Sequence, residues 1–578
     1  MAGLPTLHQR SLLVGAMSAA ATHAPDVPIA IGTQAQADYF FGKGSELSRM
    51  FKSFFKNNFA NEVWGAGVAE PVGATAASGN VVVTQPPTEA GTIHLYIGGQ
   101  HIPINVGASD TTGQVATAIV DALDRHPDLP VTGVQGAGTS HATATGTAAG
   151  VDLTLSAVTG TVAVGDTVSG TGVPAGTYIV SQTSGTIGGA GVYVTNQATT
   201  ASAAALSFSV PSNQITLTCV WKGIGGNDIH LQTNYYGQLG GEQTPIGLTM
   251  TLPTSLSGGT GVPEFDTLII NMGETEFEYV AMPYTDSTSL KAWEDEYGFS
   301  DTGRWGWQRQ HFGHVFSAKR GIYSDLINFG LTRNSGVMSI MAFENVTPSP
   351  MYEAVAAYVA KAQRALTNDP ARPLQTLTLE GVLPAALHDR FDFIEINSLA
   401  MSGLAIQKVW EGNNVRIARE QTTYQLNSYG YGDDAYELVT TLATLARLLR
   451  NQRHAITSKY PRHKLANDGT RFGPGQAIVT PGIIKAELIA QYRMDEFNGL
   501  VEDTRNFKRF LLVERDPNNP NRVNVLYPPD LINQLRIFAV LAQFRLQYDR
   551  GIDVEIIGAS GLTGGAPLPP GAPLTGIS

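Results

Sequence analysis

Charge is scarce in this chain. Asp, Glu, Lys and Arg make up 15% of its 578 residues, against about 25% in an average soluble protein. So weakly charged a surface suits a subunit that spends its life covered by neighbours. A Gly-, Thr- and Ala-rich β-protein has the same composition, and composition does not separate the two. The balance is acidic, with 37 Lys and Arg against 49 Asp and Glu, a net −12. That makes bulk nucleic-acid binding a poor fit, although a local basic patch still counts. Cysteine is almost absent. Cys219, within the strand-like ITLTCVW, is the single thiol. It permits no internal disulfide, fits assembly in a reducing cytoplasm, and reads as a small buried hydrophobe rather than a nucleophile. No run of 18 or more apolar residues occurs, which excludes a transmembrane helix.

Catalytic signatures are missing too. A subtilisin-type triad needs a serine nucleophile, a histidine base and an aspartate to orient it. The central region offers Asp286, His311, His314, Ser317, Ser335 and Ser339, but no Gly-x-Ser-x-Gly and no Gly-Thr-Ser turn opening a helix. The run from Gly223 through Gly225, Gly226 and Asn227 to Asp228 matches neither phosphate-loop pattern and is followed by the strand-like DIHLQTNY, so it reads as a β-turn. Histidines are scattered, with no His-x3-His. No catalytic, cofactor-binding or metal residue is predicted, and the chain reads as a non-enzyme.

What is present is glycine, 63 residues of it, and length enough for roughly three or four domains. In the first segment, 1–79, the opening stretch 1–26 superficially resembles a secretory signal, but Gly15 and Ser18 interrupt its apolar run. The segment is read instead as strand SLLVGAM, strand VPIAIG and two helices. Ser45 caps the second helix, which carries Leu47, Met50, Phe51, Phe54 and Phe55 at helical spacing. Residues 80–134 and 211–260 alternate as a β-sandwich-like domain with one helix, TTGQVATAIVDALDRH, and the strand ending at Val134 should run almost directly into Ile215. Between them, Gln135 to Val210 holds no Lys, Arg or Glu and only Asp152 and Asp166 as charges. Alternation in AVGDTVSG, TYIVSQT and GVYVTN predicts a compact inserted β-module over 135–210, projecting outward, rather than a low-complexity loop.

From 261 to 434 strands and helices alternate, which implies βαβ units and a parallel sheet, closed by the linker-like SYGYGDD. Residues 435–550 open with a helix bearing Leu438, Val439, Leu442, Leu445, Leu448, Leu449 and Ile456; a basic run and two or three apolar strands follow. Between Arg447 and Arg471 there are seven Lys and Arg and one acid, Asp468. Arg447, Arg450 and His454 share a helical face. Such a run by itself is a solvated face. The tail, 551–578, is too rich in Gly and Pro to support a core.

The strings KYPRHKLANDGTRFGPGQAIVTP and DPNNPNRVNVLYPPDLINQLR, with MPYTD, GHVFSAKRG, DPARPLQTLTLEGV and AQADYFFGKGSELSRMFKSFFKNN, resemble the contractile phage tail sheath proteins of the Mu-like type. The resemblance covers nearly the whole chain except 135–210, which itself resembles a small module inserted in phage virion proteins. It implies an α+β multidomain fold: a central α/β domain, subtilisin-like in shape and non-catalytic, β-rich outer domains, and an α+β core domain from the C-terminal region. It also implies a subunit that polymerises as stacked hexameric rings around a tail tube and contracts to drive the tube through the host envelope for genome ejection. The implied partners are copies of itself, the tail tube protein, and baseplate and tail terminator proteins, with no cofactor, no direct nucleic acid and no membrane insertion. The implied place is the virion, after assembly in the host cytoplasm. A cellular contractile injection device and a βαβ hydrolase are the alternatives.

In that family the C-terminal domain lies innermost, so Arg447, Arg450, Arg453, Lys459, Arg462 and Lys464 are the expected tube-facing residues. Asp553, Val554, Glu555, Ile556 and Ile557 are the expected strand of an inter-subunit arm. An extended arm of some twenty residues should precede Gly3-Leu4-Pro5. Here the chain begins almost at that motif, so either most of the arm is missing or the start is assigned late.

Overall fold

The computed structural model describes residues 9–541. Its first strand, β1 (Ser11–Ala16), is buried along its whole length. Unbroken burial without alternation marks a strand covered on both faces. After β2 (Ile29–Ile31) come α1 (Gln34–Phe41) and α2 (Glu46–Asn57), then β3 (Val63–Val68). Ser45 caps α2 by accepting from Ser48 N, and Leu47, Met50, Phe51 and Phe54 are fully buried. Gly65 on β3 permits this packing: a Cβ there would meet the stacked Phe41 and Phe51 rings at 2.7 Å.

The next region holds β4 (Ser78–Gln85), β5 (Gly91–Ile97), β6 (Gln100–Val106), α3 (Thr112–Asp124) and β7 (Val131–Gln135). A capping box between Thr111 and Gln114 starts α3. Then β8 (Thr139–Thr159), β9 (Thr167–Gly170), β10 (Ile179–Gly185), β11 (Gly191–Thr199) and β12 (Ala204–Val210) form their own sheet in the order β10-β11-β8-β12-β9. Leu153, Leu155, Ile179, Tyr193, Leu206 and Phe208 give it a core separate from the rest of the chain. The chain returns as β13 (Gln214–Cys219), which pairs antiparallel with β7, Ile215 opposite Gln135. With β14 (Leu231–Thr233) on the β5–β6 hairpin and β15 (Thr249–Thr251) beside β4, the outer sheets close as though the insertion were absent.

Through the centre run α4 (Asp266–Met272), β16 (Tyr279–Ala281), α5 (Ser287–Glu296), β17 (His314–Gly321), α6 (Tyr323–Leu331), β18 (Met338–Glu344), α7 (Met351–Asn368), α8 (Phe393–Met401), β19 (Ala405–Trp410) and β20 (Asn414–Arg419). They build an eight-stranded sheet in the order β2-β3-β1-β16-β17-β18-β19-β20. It is parallel from β3 to β19, with an antiparallel strand at each end. The sequence delimits 1–79 as an N-terminal segment of its own, without assigning its strands to a sheet. In the fold β1 pairs with β16, Ser11 opposite Tyr279, and α2 packs on α7, so the N-terminal strands complete the central sheet.

The C-terminal region contains α9 (Val439–Lys459), β21 (Lys464–Leu465), β22 (Ile478–Val479), α10 (Pro481–Phe497), α11 (Thr504–Phe510), β23 (Leu512–Arg515) and β24 (Val523–Leu526). Two helices therefore stand where apolar strands were expected to follow the basic run directly. Thr480 caps α10 ahead of Pro481, and Ile484, Leu488 and Tyr492 bury one stripe against Leu448 and Phe507. Among the described residues no helix is long and apolar enough to cross a membrane. The result is a mixed α/β multidomain chain.

Candidate assembly surfaces

The basic run divides into two groups. Arg447 and Arg450 were expected to face outward and do not. The Arg450 side chain is 9% exposed. It reaches Glu278 Oε1 at 3.1 Å and Glu276 Oε2 at 3.6 Å, donates to Phe312 O at 3.1 Å and lies over the Phe312 ring. Glu278 also accepts Arg10 N at 2.7 Å. Burial pushes the Glu278 carboxyl up to about 7, with Arg450 acting the other way. Arg447, half-buried, donates to Thr367 O at 3.0 Å, and burial pushes its guanidinium below its ordinary range. The physical reason is that α9 is covered on two sides. Leu448 enters the C-terminal core while Leu442 and the two arginines meet the central domain. A buried cation persists only when paired, and the acids that pair with Arg450 lie more than 170 residues away.

The second group is outside. Arg453 and Arg462 are exposed; Lys459 pairs with Glu487, and Lys464 donates to Gln476 Oε1 at 3.1 Å. Lys459 in the last turn of α9 also suits the negative end of the helix dipole. These cations flank a loop, 466–477, exposed along most of its length. Its one acid, Asp468, is occupied in accepting Gly482 N.

A second surface is backbone. β23 and β24 pair only with each other among the described residues. A two-stranded hairpin is marginal alone, and its edges present unpaired amide and carbonyl groups. Leu512, Val525 and Leu526 are exposed on it. Beyond it Arg536 pairs with Glu420, and Gln534 donates to Ala371 O at 2.5 Å, which tethers the chain to the central domain. Leu535 and Phe538, 81% and 73% exposed, with Val540 and Leu541, leave an apolar strip uncovered. Asp553, Val554, Glu555, Ile556 and Ile557 lie outside the described residues.

The residues surveyed for catalysis serve the fold. Asp286 caps α5 by accepting Ser289 N, and Ser339 Oγ donates to Gln421 O. His314 is buried, which pushes its imidazole down to about 3, and His311 faces Glu274. Among the described residues none of these serines is hydrogen-bonded to a histidine. Cys219 is buried, and burial raises its thiol. Gly223 precedes a short 3₁₀ turn, Ile224–Asp228, whose Asp228 pairs with Arg320 at 2.7 Å.

Among the described residues the candidate surfaces are thus the cations around loop 466–477 and the β23–β24 hairpin with its apolar strip. Residues 258–423 match the phage tail sheath protein central domain, and residues 432–545 match the phage tail sheath C-terminal domain. The chain is 34% identical over 546 residues to the tail sheath protein of the Mu-like prophage FluMu of Haemophilus influenzae, covering 94% of this chain and 95% of that one. It belongs to the phage tail sheath family, a family of structural virion proteins rather than enzymes. Among solved structures it overlaps a sheath tail protein of Desulfitobacterium hafniense (11% identity, TM-score 0.40, 92% of this chain and 99% of that one). It also overlaps one of Listeria innocua (10%, TM-score 0.42, 92% and 93%).

Proposed function

We propose that this protein is the contractile sheath subunit of a phage tail, polymerising as helically stacked hexameric rings around the tail tube. The sheath shortens to drive the tube through the host envelope for genome ejection. The observation that carries the polymer is the β23–β24 hairpin with open edges beside the apolar strip from Leu535 to Leu541. Both gain partners if a neighbouring subunit adds a strand, as main-chain pairing gives sequence-tolerant affinity. Residues 553–557 are the proposed donor. Assembly takes place in the host cytoplasm, with baseplate and terminator proteins at the two ends.

Arg453, Lys459, Arg462 and Lys464 make the tube-facing patch in this reading. Exposed charge pairs contribute only about 0–1 kcal/mol each, which suits a contact repeated along the tail and broken in one event. The central parallel sheet, subtilisin-like in outline and without a triad, is the rigid frame, and the β8–β12 module stands on the outer surface. Contraction draws on conformational and interfacial energy. Negative-stain microscopy of the purified protein tests the proposal: tubes of uniform width are expected, and a protein that stays monomeric at every concentration and salt would overturn it.

A further inference from the structure

The β5–β6 hairpin brings two histidines to one face. His94 and Tyr96 lie two residues apart on β5, and the register sets His101 of β6 opposite Tyr96, so the histidines are diagonal neighbours. His94 Nδ1 and His101 Nε2 are 3.0 Å apart. The ring planes are within 8° and the centroids 5.2 Å apart, which sets the two rings nearly edge to edge with these nitrogens facing one another. Glu242 arrives from the loop after β14. Its Oε1 is 4.0 Å from His94 Nδ1 and 3.9 Å from His101 Nε2. The carboxylate is held on both oxygens: Tyr96 OH donates to Oε1 at 2.5 Å, and Tyr236 N donates to Oε2 at 2.9 Å.

We propose that His94, His101 and Glu242 bind a divalent transition metal ion of the zinc class. Two imidazole nitrogens and one carboxylate oxygen are a zinc donor set, and the three separations enclose a point about 2.1 Å from every donor atom, the length of a Zn–N or Zn–O bond. Loading replaces the histidine–histidine hydrogen bond with two nitrogen–metal bonds. Each ring turns toward the carboxylate, and the ring that donates the shared proton carries it on its other nitrogen instead. Tyr96 OH and Tyr236 N are the outer partners that fix the carboxylate. The Glu242 side chain is 7% exposed and that of His101 is 37% exposed, so the ion enters from the His101 side and keeps a water there.

The ion would close a loop. Residues 237–247 contain Gly237, Gly240, Gly241 and Gly247, and fixing so flexible a segment has an entropic cost that a metal clip offsets. Next to it Tyr235 OH donates to Pro384 O of the central domain at 2.9 Å, so the clip stiffens the join between outer and central regions. No metal-ligand spacing in the sequence announces the site, because its donors come from two strands and a distant loop.

The test uses the full-length protein stripped with chelator, titrated with Zn²⁺ by calorimetry and with Co²⁺ by visible absorption. One ion per chain, ligand-field bands with Co²⁺ and a thermal midpoint raised by Zn²⁺ are expected. His101→Ala and Glu242→Gln should each weaken binding at least about tenfold and remove the thermal shift. His388→Ala, at a side chain 83% exposed elsewhere, should leave both unchanged. Absence of binding by the unaltered protein overturns the proposal, as does unchanged binding in the His101→Ala protein. The His101 side chain projects to solvent, so that variant reads out even if Glu242→Gln folds poorly.

Discussion

Arg450 on α9 and Glu278, one residue before β16, lie 3.1 Å apart, both nearly buried, across the join between the C-terminal region and the central sheet. Glu278 in turn accepts the backbone amide of Arg10, one residue before β1. One carboxylate thus ties together the helix of the C-terminal core, the first strand and the central sheet.

Arg450→Ala should therefore act on folding rather than on tube contact. Removing one partner of a buried pair leaves the other charge uncompensated, at a cost of about 3–5 kcal/mol. Urea unfolding of the soluble subunit measures it. A loss under about 1 kcal/mol would show that the pair does not hold the join.

Arg453→Glu combined with Arg462→Glu and Lys464→Glu should do the reverse. These side chains are exposed, and surface substitutions usually change stability by only about 0.5 kcal/mol or less each. Co-assembly with tail tube should weaken, most at low salt, where charges act over about 30 Å instead of 10 Å. Pelleting with preformed tube across a salt series checks this. Unchanged co-pelleting places the tube contact elsewhere.

Buried acids set a pH slope. Burial raises Glu46 and Glu278 from about 4.5 to about 7, and Asp495 from about 3.8 to about 6. Each binds a proton more readily folded than unfolded between those limits, so stability falls as pH rises from about 4.5 to 7 through these groups. Glu46→Gln keeps a side chain able to bond to Tyr284 OH and should flatten the slope between pH 5 and 8. Denaturant midpoints at both pH values, for both proteins, give the answer; an identical slope would exclude Glu46 as a contributor.

Joining Gln135 to Ile215 through Asn-Gly should remove the inserted module and leave a folded subunit that still polymerises. β7 and β13 are already paired there, and a two-residue turn of this kind fits antiparallel strands. Thermal unfolding and microscopy of the shortened protein check it. An insoluble product would mean that the module supports the outer sheets.

Ending the chain at Arg550, or replacing Leu535 and Phe538 by Asp, should give folded subunits that form no rings or tubes. Neither side chain is covered in the subunit, so their loss should appear in assembly and not in the unfolding curve. Full-length tubes from either protein would place the interlock elsewhere.

Short-range signals were legible in the sequence because they act within a few residues. The Ser45 cap and the Phe51 and Phe54 stripe announce α2; alternation announces the inserted β-module; the βα alternation from 279 to 368 announces a parallel sheet. Motif strings carried the family. The helix α10 was equally legible, with Thr480 and Pro481 at its start and Ile484, Leu488 and Tyr492 four residues apart, but its Gly- and Pro-rich approach reads as strand and turn. Tertiary structure alone decided which remote segments meet. That β1 lies beside β16, that Arg450 finds Glu278, and that Glu242 comes to rest against His94 and His101 depend on pairings across about 140 to 270 residues. Periodicity tells which face of an element is apolar. It does not name the element that covers that face, and so a basic stripe that looks like surface in the sequence is half interior in the fold.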